Sequence, residues 1–176
     1  MKKAAFLDRD GVLNASVVVG GIPFPPRTPN EVVVLEGVEK AIRMLKLNDF
    51  VPVVVSNQPD VARGKTSISE VEAINKRIRA ETSIEYFYIC AHDDADGCDC
   101  RKPNPGLILN AAKDLDLDLS SSFMIGDRWR DVAAGVKAGL RCFFIDYSYS
   151  ERAPEQPFTR VSSLLEATYL VIGENN

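Results

Sequence analysis

The sequence predicts an α/β fold: a three-layer, Rossmann-like parallel sheet with helices on both faces. Two observations lead there. Short apolar runs alternate with helical patterns from end to end, and each main run stops abruptly at polar or charged residues. The expected strands, Ala4–Leu7, Val51–Val55, Tyr86–Cys90, Phe123–Ile125 and Cys142–Ile145, are short apolar runs, and all but the first are mostly β-branched or aromatic, as strands covered on both sides are.

The elements between them follow in order. From Val17 to Pro29 the chain holds two adjacent glycines with Pro23, Pro25, Pro26 and Pro29, which predicts an extended surface loop. Val38, Ala41, Ile42 and Leu45 recur at helical spacing after Gly37. Val71, Ile74 and Ile78 do so after Ser69, which with Glu72 reads as a capping box. A third helix is expected near Pro105, with Asn104 as N-cap and Leu107, Ile108, Ala111, Ala112 and Leu115 on its apolar face. A fourth runs from about Arg130 to a closing Gly139. No connecting segment is long enough for a large cap domain.

With 176 residues the chain is expected to be one domain spanning 1–176, and to act as a monomer. Its net charge of −4 gives no reason to expect a nucleic-acid partner. The first apolar run is cut by Asp8, too early for a signal peptide or a membrane span, so a cytoplasmic protein with reduced thiols and no membrane association is expected.

Three of the four cysteines and the only histidine fall in one short pattern, Cys90-x-His92-x5-Cys98-x-Cys100. Three thiols and an imidazole suit tetrahedral Zn²⁺ in a closed site, with no position left for water or substrate; such a zinc-bound loop would hold structure and perform no chemistry. Disulfides are the alternative, but they would leave one of the three clustered thiols unpaired, and Cys142 sits in an apolar strand.

Ligands of an open parallel sheet bind at the carboxyl ends of its strands, so the residues that end each run should converge. They are Asp8-Arg9-Asp10-Gly11, then Ser56-Asn57-Gln58, then the cysteine loop with Arg101-Lys102-Pro103, then Gly126-Asp127-Arg128-Trp129-Arg130-Asp131. Gathered carboxylates repel one another in a low-dielectric cleft, and a hard divalent cation such as Mg²⁺ removes that cost. The bland readings remain open at this point: Asp131 as a turn or helix cap, Lys102 as a solvated charge, and Trp129 as packing on a loop instead of stacking on substrate.

Taken in order, these four segments resemble the motifs of the haloacid dehalogenase (HAD) superfamily of aspartate-nucleophile phosphatases. The zinc loop ending in Cys-Asp-Cys-Arg-Lys-Pro, with Ser56-Asn57-Gln58 and Ala62-Arg63-Gly64-Lys65, resembles the heptose bisphosphate phosphatases among them. The resemblance implies that Asp8 attacks phosphorus, that Asp10 is general acid and base, and that Ser56 and Lys102 bind the transferring phosphoryl group. It also implies that Asp8, the backbone carbonyl of Asp10, and Asp127 hold Mg²⁺, with Asp131 behind them.

Arg9, Arg63, Lys65, Arg101, Lys102, Arg128 and Arg130 surround the expected site, so a polyanionic substrate is expected. Asn57, Gln58, Arg63, Arg101 and Arg128 are the candidate substrate contacts, the arginines for a second phosphate. The resemblance implies that the partner is a small phosphorylated sugar, heptose 1,7-bisphosphate losing its C7 phosphate. Histidinol phosphate is the rival substrate, with Asp93, Asp94 and Asp96 as acidic neighbours for its ammonium. A non-catalytic, zinc-stabilised binding module is the alternative of another class, and it predicts erosion of acids that are all present. The stretch Ala15–Val19 departs from the family's pattern, lacking the polar, glycine-bearing residues with which members grip the sugar.

Overall fold

Side chains of a strand alternate between faces, so Ala5 and Leu7 enter one half of the core while Ala4 and Phe6 enter the other. That division runs through the whole protein. The structure, a computed structural model, describes residues 2–173. Its strands are β1 (Lys2–Leu7), β2 (Val17–Val19), β3 (Ile22–Phe24), β4 (Phe50–Asn57), β5 (Tyr86–Cys90), β6 (Leu117–Gly126), β7 (Arg141–Ile145) and β8 (Thr159–Val161). The helices are α1 (Val38–Leu47), α2 (Ile68–Thr82), α3 (Gly106–Leu115), α4 (Trp129–Lys137) and α5 (Leu164–Gly173). Six strands form one sheet in the order β5-β4-β1-β6-β7-β8, and every neighbouring pair is parallel.

One face is covered by α1, α2 and α5, through Ile42, Leu45, Ile74, Ile78 and Leu164 against Leu7, Val54, Phe123 and Phe143. The other is covered by α3 and α4, through Leu107, Ile108, Val132 and Ala134 against Phe6, Val53, Val55 and Met124. Phe123 packs edge-on against both Phe50 and Phe143, at centroid distances of 5.6 and 5.5 Å. This is the expected three-layer architecture. No helix among the described residues is long and apolar enough to cross a membrane.

Several local expectations are corrected. The proline-rich loop is partly regular: β2 and β3 pair antiparallel, with Val19 opposite Ile22. Gly20 and Gly21 make the two-residue turn, at φ of 60° and 78°, a conformation that lets glycine match the twist of the strands. A short 3-10 turn, Pro29–Glu31, follows. Helix α2 is capped by Ser67, not Ser69: the Ser67 hydroxyl accepts from the Glu70 backbone N–H at 3.1 Å. Ser69 lies inside the helix, where a capping box with Glu72 cannot form. Pro105, not Asn104, occupies the N-cap of α3, because the Asn104 amide is donated to the Cys98 carbonyl instead, at 3.0 Å. Finally, β8 and α5 extend the sheet and cover it beyond the last element read from the sequence.

Candidate active site and metal centres

The tips of β1, β4 and β6 lie side by side, so their terminal residues share one cleft. Asp8 follows β1, Ser56 and Asn57 end β4, and Asp127 follows β6; all but the half-buried Asn57 are buried. Lys102 reaches them from the loop that leads to α3. Its Nζ lies 2.7 Å from Asp8 Oδ1 and 2.6 Å from Asp131 Oδ1. Its backbone is held by Asn57, whose Oδ1 accepts from Lys102 N–H at 3.0 Å and whose Nδ2 donates to the Lys102 carbonyl at 2.9 Å. The Asn57 side chain is thereby spent on positioning the lysine. The solvated reading of Lys102 falls, since it is buried, while the capping reading of Asp131 holds beside a second role: its Oδ2 accepts from the N–H of Arg128, the N-cap of α4, at 2.9 Å, and its Oδ1 meets Lys102.

Asp10 is framed from below and beside. It accepts from Asn14 Nδ2 and Gln58 Nε2, each at 2.9 Å, and from Arg9 Nη2 at 3.1 Å. Arg9 is not among the cations that face the cleft. It is fully buried and donates to Asn75 of α2 at 2.9 Å, because its carboxylate partner and a helix amide satisfy it under the site. Gln58 also donates to Ser56 Oγ at 3.0 Å, which leaves the serine hydroxyl proton for another acceptor. Gly11 has φ of 87°, and a Cβ there would stand 2.0 Å from Asp127 Oδ2; only glycine lets the β1 loop approach that carboxylate.

Carboxylate oxygens of Asp8, Asp127 and Asp131 lie within 4.8 Å of one another. Burial is the largest influence on Asp8 and pushes it up to about 7, with Lys102 opposing and Asp131 and Asp10 reinforcing. Burial likewise raises Asp127 well above the ordinary carboxylate range, and the charges of Asp8 and Asp131 add to it. On Lys102 burial acts downward but is outweighed by Asp131 and Asp8, so the ammonium is stabilised. Among the described residues, Asp127 Oδ1 is buried with no hydrogen-bond partner. A hard cation fits this set: it would satisfy the orphaned oxygen and reverse the cost of the buried negative charge.

The second centre stands at the end of β5. Cys90 Sγ lies 3.0 Å from Cys100 Sγ and 3.6 Å from both Cys98 Sγ and His92 Nδ1; Cys100 Sγ lies 3.3 Å from Cys98 Sγ and from His92 Nδ1. All the cysteines are free thiols. A tetrahedral ion with Zn–S bonds of about 2.3 Å has S···S edges of roughly 3.8 Å, so four soft donors converge here on nearly that scale. The donor set fits zinc.

The arginines expected to meet substrate all line the cleft, and each already has an acidic partner. Arg63 forms a two-pronged contact with Asp93, 2.7 Å at both Nε and Nη2. Arg101 Nε and Arg130 Nη1 share Asp94 Oδ1 at 2.8 and 3.0 Å. Arg128 Nε lies 2.9 Å from Glu151 Oε2. Trp129 is packed between guanidinium groups, with Arg152 3.6 Å and Arg130 4.8 Å from its ring centre. The residues missed by sequence reasoning follow β7: Tyr149 donates to Asp127 Oδ2 at 2.8 Å and Tyr147 to the Gly11 carbonyl at 3.0 Å. Their spacing beyond a strand end carries no motif; the Tyr-Ser-Tyr sequence alone gives no signal. The hairpin closes one wall of the cleft with Ile22, Pro23 and Phe24.

A family model described as HAD-hydrolase-like matches residues 99–167. A Pasteurella multocida protein named D-glycero-β-D-manno-heptose-1,7-bisphosphate 7-phosphatase is 34% identical over 152 residues, covering 80% of this chain and 79% of that protein. The Escherichia coli protein of the same name is 34% identical over 153 residues, covering 78% and 75%. A crystal structure of D,D-heptose 1,7-bisphosphate phosphatase from B. bronchiseptica, complexed with magnesium and phosphate, is similar with a TM-score of 0.86 and 26% identity, covering 98% of this chain and 99% of that one. A HAD-like phosphatase structure from Mesorhizobium loti has a TM-score of 0.77 and 32% identity over 98% of this chain and 87% of that one.

Proposed function

This chain belongs to the haloacid dehalogenase-like phosphatases, phosphoric monoester hydrolases, and from that premise we propose that it removes the C7 phosphate of D-glycero-D-manno-heptose 1,7-bisphosphate. The observation that carries the chemistry is the buried lysine between two carboxylates, Asp8 and Asp131, beside the partnerless oxygen of Asp127.

Asp8 is the nucleophile. One of its oxygens forms a bond to phosphorus while the ester P–O bond breaks, and Asp10 gives the departing sugar oxygen its proton. Left as a carboxylate by that transfer, and held in place by Arg9, Asn14 and Gln58, Asp10 then takes a proton from water as that water attacks the aspartyl-phosphate. Lys102 and the free hydroxyl proton of Ser56 face the oxygens of the transferring group, where charge is spread in the transition state. Asp8, Asp127 and the Asp10 carbonyl, with Asp131 adjoining, would hold magnesium, which would supply positive charge that shields the phosphate from the anionic nucleophile. Cys90, His92, Cys98 and Cys100 would hold zinc, which would supply no chemistry but fix the loop that delivers Lys102.

Gln58 and Asn57 act by positioning Asp10, Ser56 and Lys102. Arg101, Arg128 and Arg63 supply the cations for the second phosphate, by exchanging acidic side-chain partners for the ligand. The test is release of inorganic phosphate, with Mg²⁺, from heptose 1,7-bisphosphate, histidinol phosphate and an aryl phosphate. The bisphosphate should show the highest kcat/KM; preference for histidinol phosphate overturns the assignment.

A further inference from the structure

We infer that Tyr149 is a positioning residue for magnesium: its hydroxyl fixes Asp127 through Oδ2 and so keeps Oδ1 turned to the ion. The inference rests on the reading of Asp127 as a magnesium ligand. A carboxylate turns about two side-chain bonds, so an aspartate held only by its backbone can present either oxygen, or neither, to a cation. Here one oxygen is walled in. Tyr149 donates to Oδ2 at 2.8 Å, and Gly11 lies so close to the same atom that a Cβ would stand 2.0 Å from it. The other oxygen, Oδ1, is buried and has no hydrogen-bond partner among the described residues. Phenol-to-carboxylate bonds are charge-assisted and stronger than neutral ones, which makes the tyrosine an effective latch.

Tyr149 is itself held on three sides. Its ring stacks on Tyr147, centroids 5.5 Å apart with planes at 28°, and Tyr147 donates to the Gly11 carbonyl at 3.0 Å. The next residue, Ser150, donates its N–H to the Gly21 carbonyl at the hairpin turn, at 2.8 Å. Glu151 binds Arg128, one residue from Asp127. The segment after β7 therefore joins the hairpin to the metal carboxylate, and the hydroxyl cannot withdraw without breaking contacts on both sides. Groups that orient a metal's ligands typically carry about 10–100-fold in affinity or activity.

The experiment is Tyr149→Phe, which removes one oxygen and keeps the ring stack. Mg²⁺ is titrated calorimetrically into the zinc-loaded protein after removal of other divalent ions, beside the wild type and Asp127→Asn. The expected result is a Kd for Mg²⁺ raised about 10-fold, with kcat for p-nitrophenyl phosphate returning close to the wild-type value at saturating Mg²⁺ and its KM little changed. An unchanged Mg²⁺ Kd overturns the inference, whether or not the melting temperature falls; a fall alone marks a merely structural side chain. A raised KM at saturating Mg²⁺ with an unchanged Mg²⁺ Kd also overturns it, placing Tyr149 on the substrate. If Asp127→Asn binds Mg²⁺ as the wild type does, the premise fails first and the inference with it.

Discussion

At the scale of single residues, Asp8 and Lys102 make opposite demands. Asp8→Asn removes the nucleophile but little volume, and Lys102 keeps Asp131 as its partner at 2.6 Å. Phosphate release should fall to background while the melting temperature stays within a few degrees of wild type; multiple turnover by this variant would contradict the covalent route. Lys102→Met should do the reverse damage first. It strands two buried carboxylates without their cation, and breaking such a pair from one side costs about 3–5 kcal/mol, to be read from urea denaturation. Both residues were legible in the sequence because strand tips in a parallel sheet converge by topology. Arg9 was not. Its place beside Asp10 suggested a substrate cation, and only the packing of α2 under the site shows that Asn75 has claimed it.

At the scale of elements, the start of α2 separates two serines that look equivalent in the sequence. Ser67→Ala should lower stability by about 1 kcal/mol, since it removes the bond to the Glu70 N–H, whereas Ser69→Ala should change it by less than about 0.5 kcal/mol. Chemical denaturation of the two variants side by side decides it. Helical spacing placed the body of α2 correctly but not its first residue, because two serines stand two positions apart and the backbone can use only one as N-cap. The hairpin was visible only as a loop: the prolines dominated the reading, although adjacent glycines between apolar triplets are the signal for a two-residue turn. The cysteine loop belongs to this scale too. Stripping zinc from it should both lower the melting temperature and reduce phosphate release, since structural zinc contributes roughly 10–16 kcal/mol of apparent binding energy in small zinc-folded units. An unchanged melting curve and activity after complete removal, verified by elemental analysis, would show the loop holds itself.

At the scale of the whole molecule, the arrangement of layers and the four tip segments could be read from apolar runs, but the far side of the cleft could not. Ser150 meets the turn at Gly21 from more than a hundred residues away, while Tyr149 and Glu151 reach back 22 and 23 residues to Asp127 and Arg128, and no local pattern encodes such a meeting. Shortening the hairpin by deleting Gly20 and Gly21 should therefore weaken Mg²⁺ binding as well as substrate affinity, a coupling that titration of each ligand in turn would reveal. The position of β1 has a consequence for biosynthesis. It is made before both of its sheet neighbours, β4 and β6, yet lies between them. On a ribosome adding about 5–20 residues per second, roughly 6–24 s separate the emergence of β1 from that of the end of β6. Throughout that interval one edge of its backbone stays open, so the nascent chain is a natural client for chaperones and its yield should depend on them more steeply than its finished stability suggests.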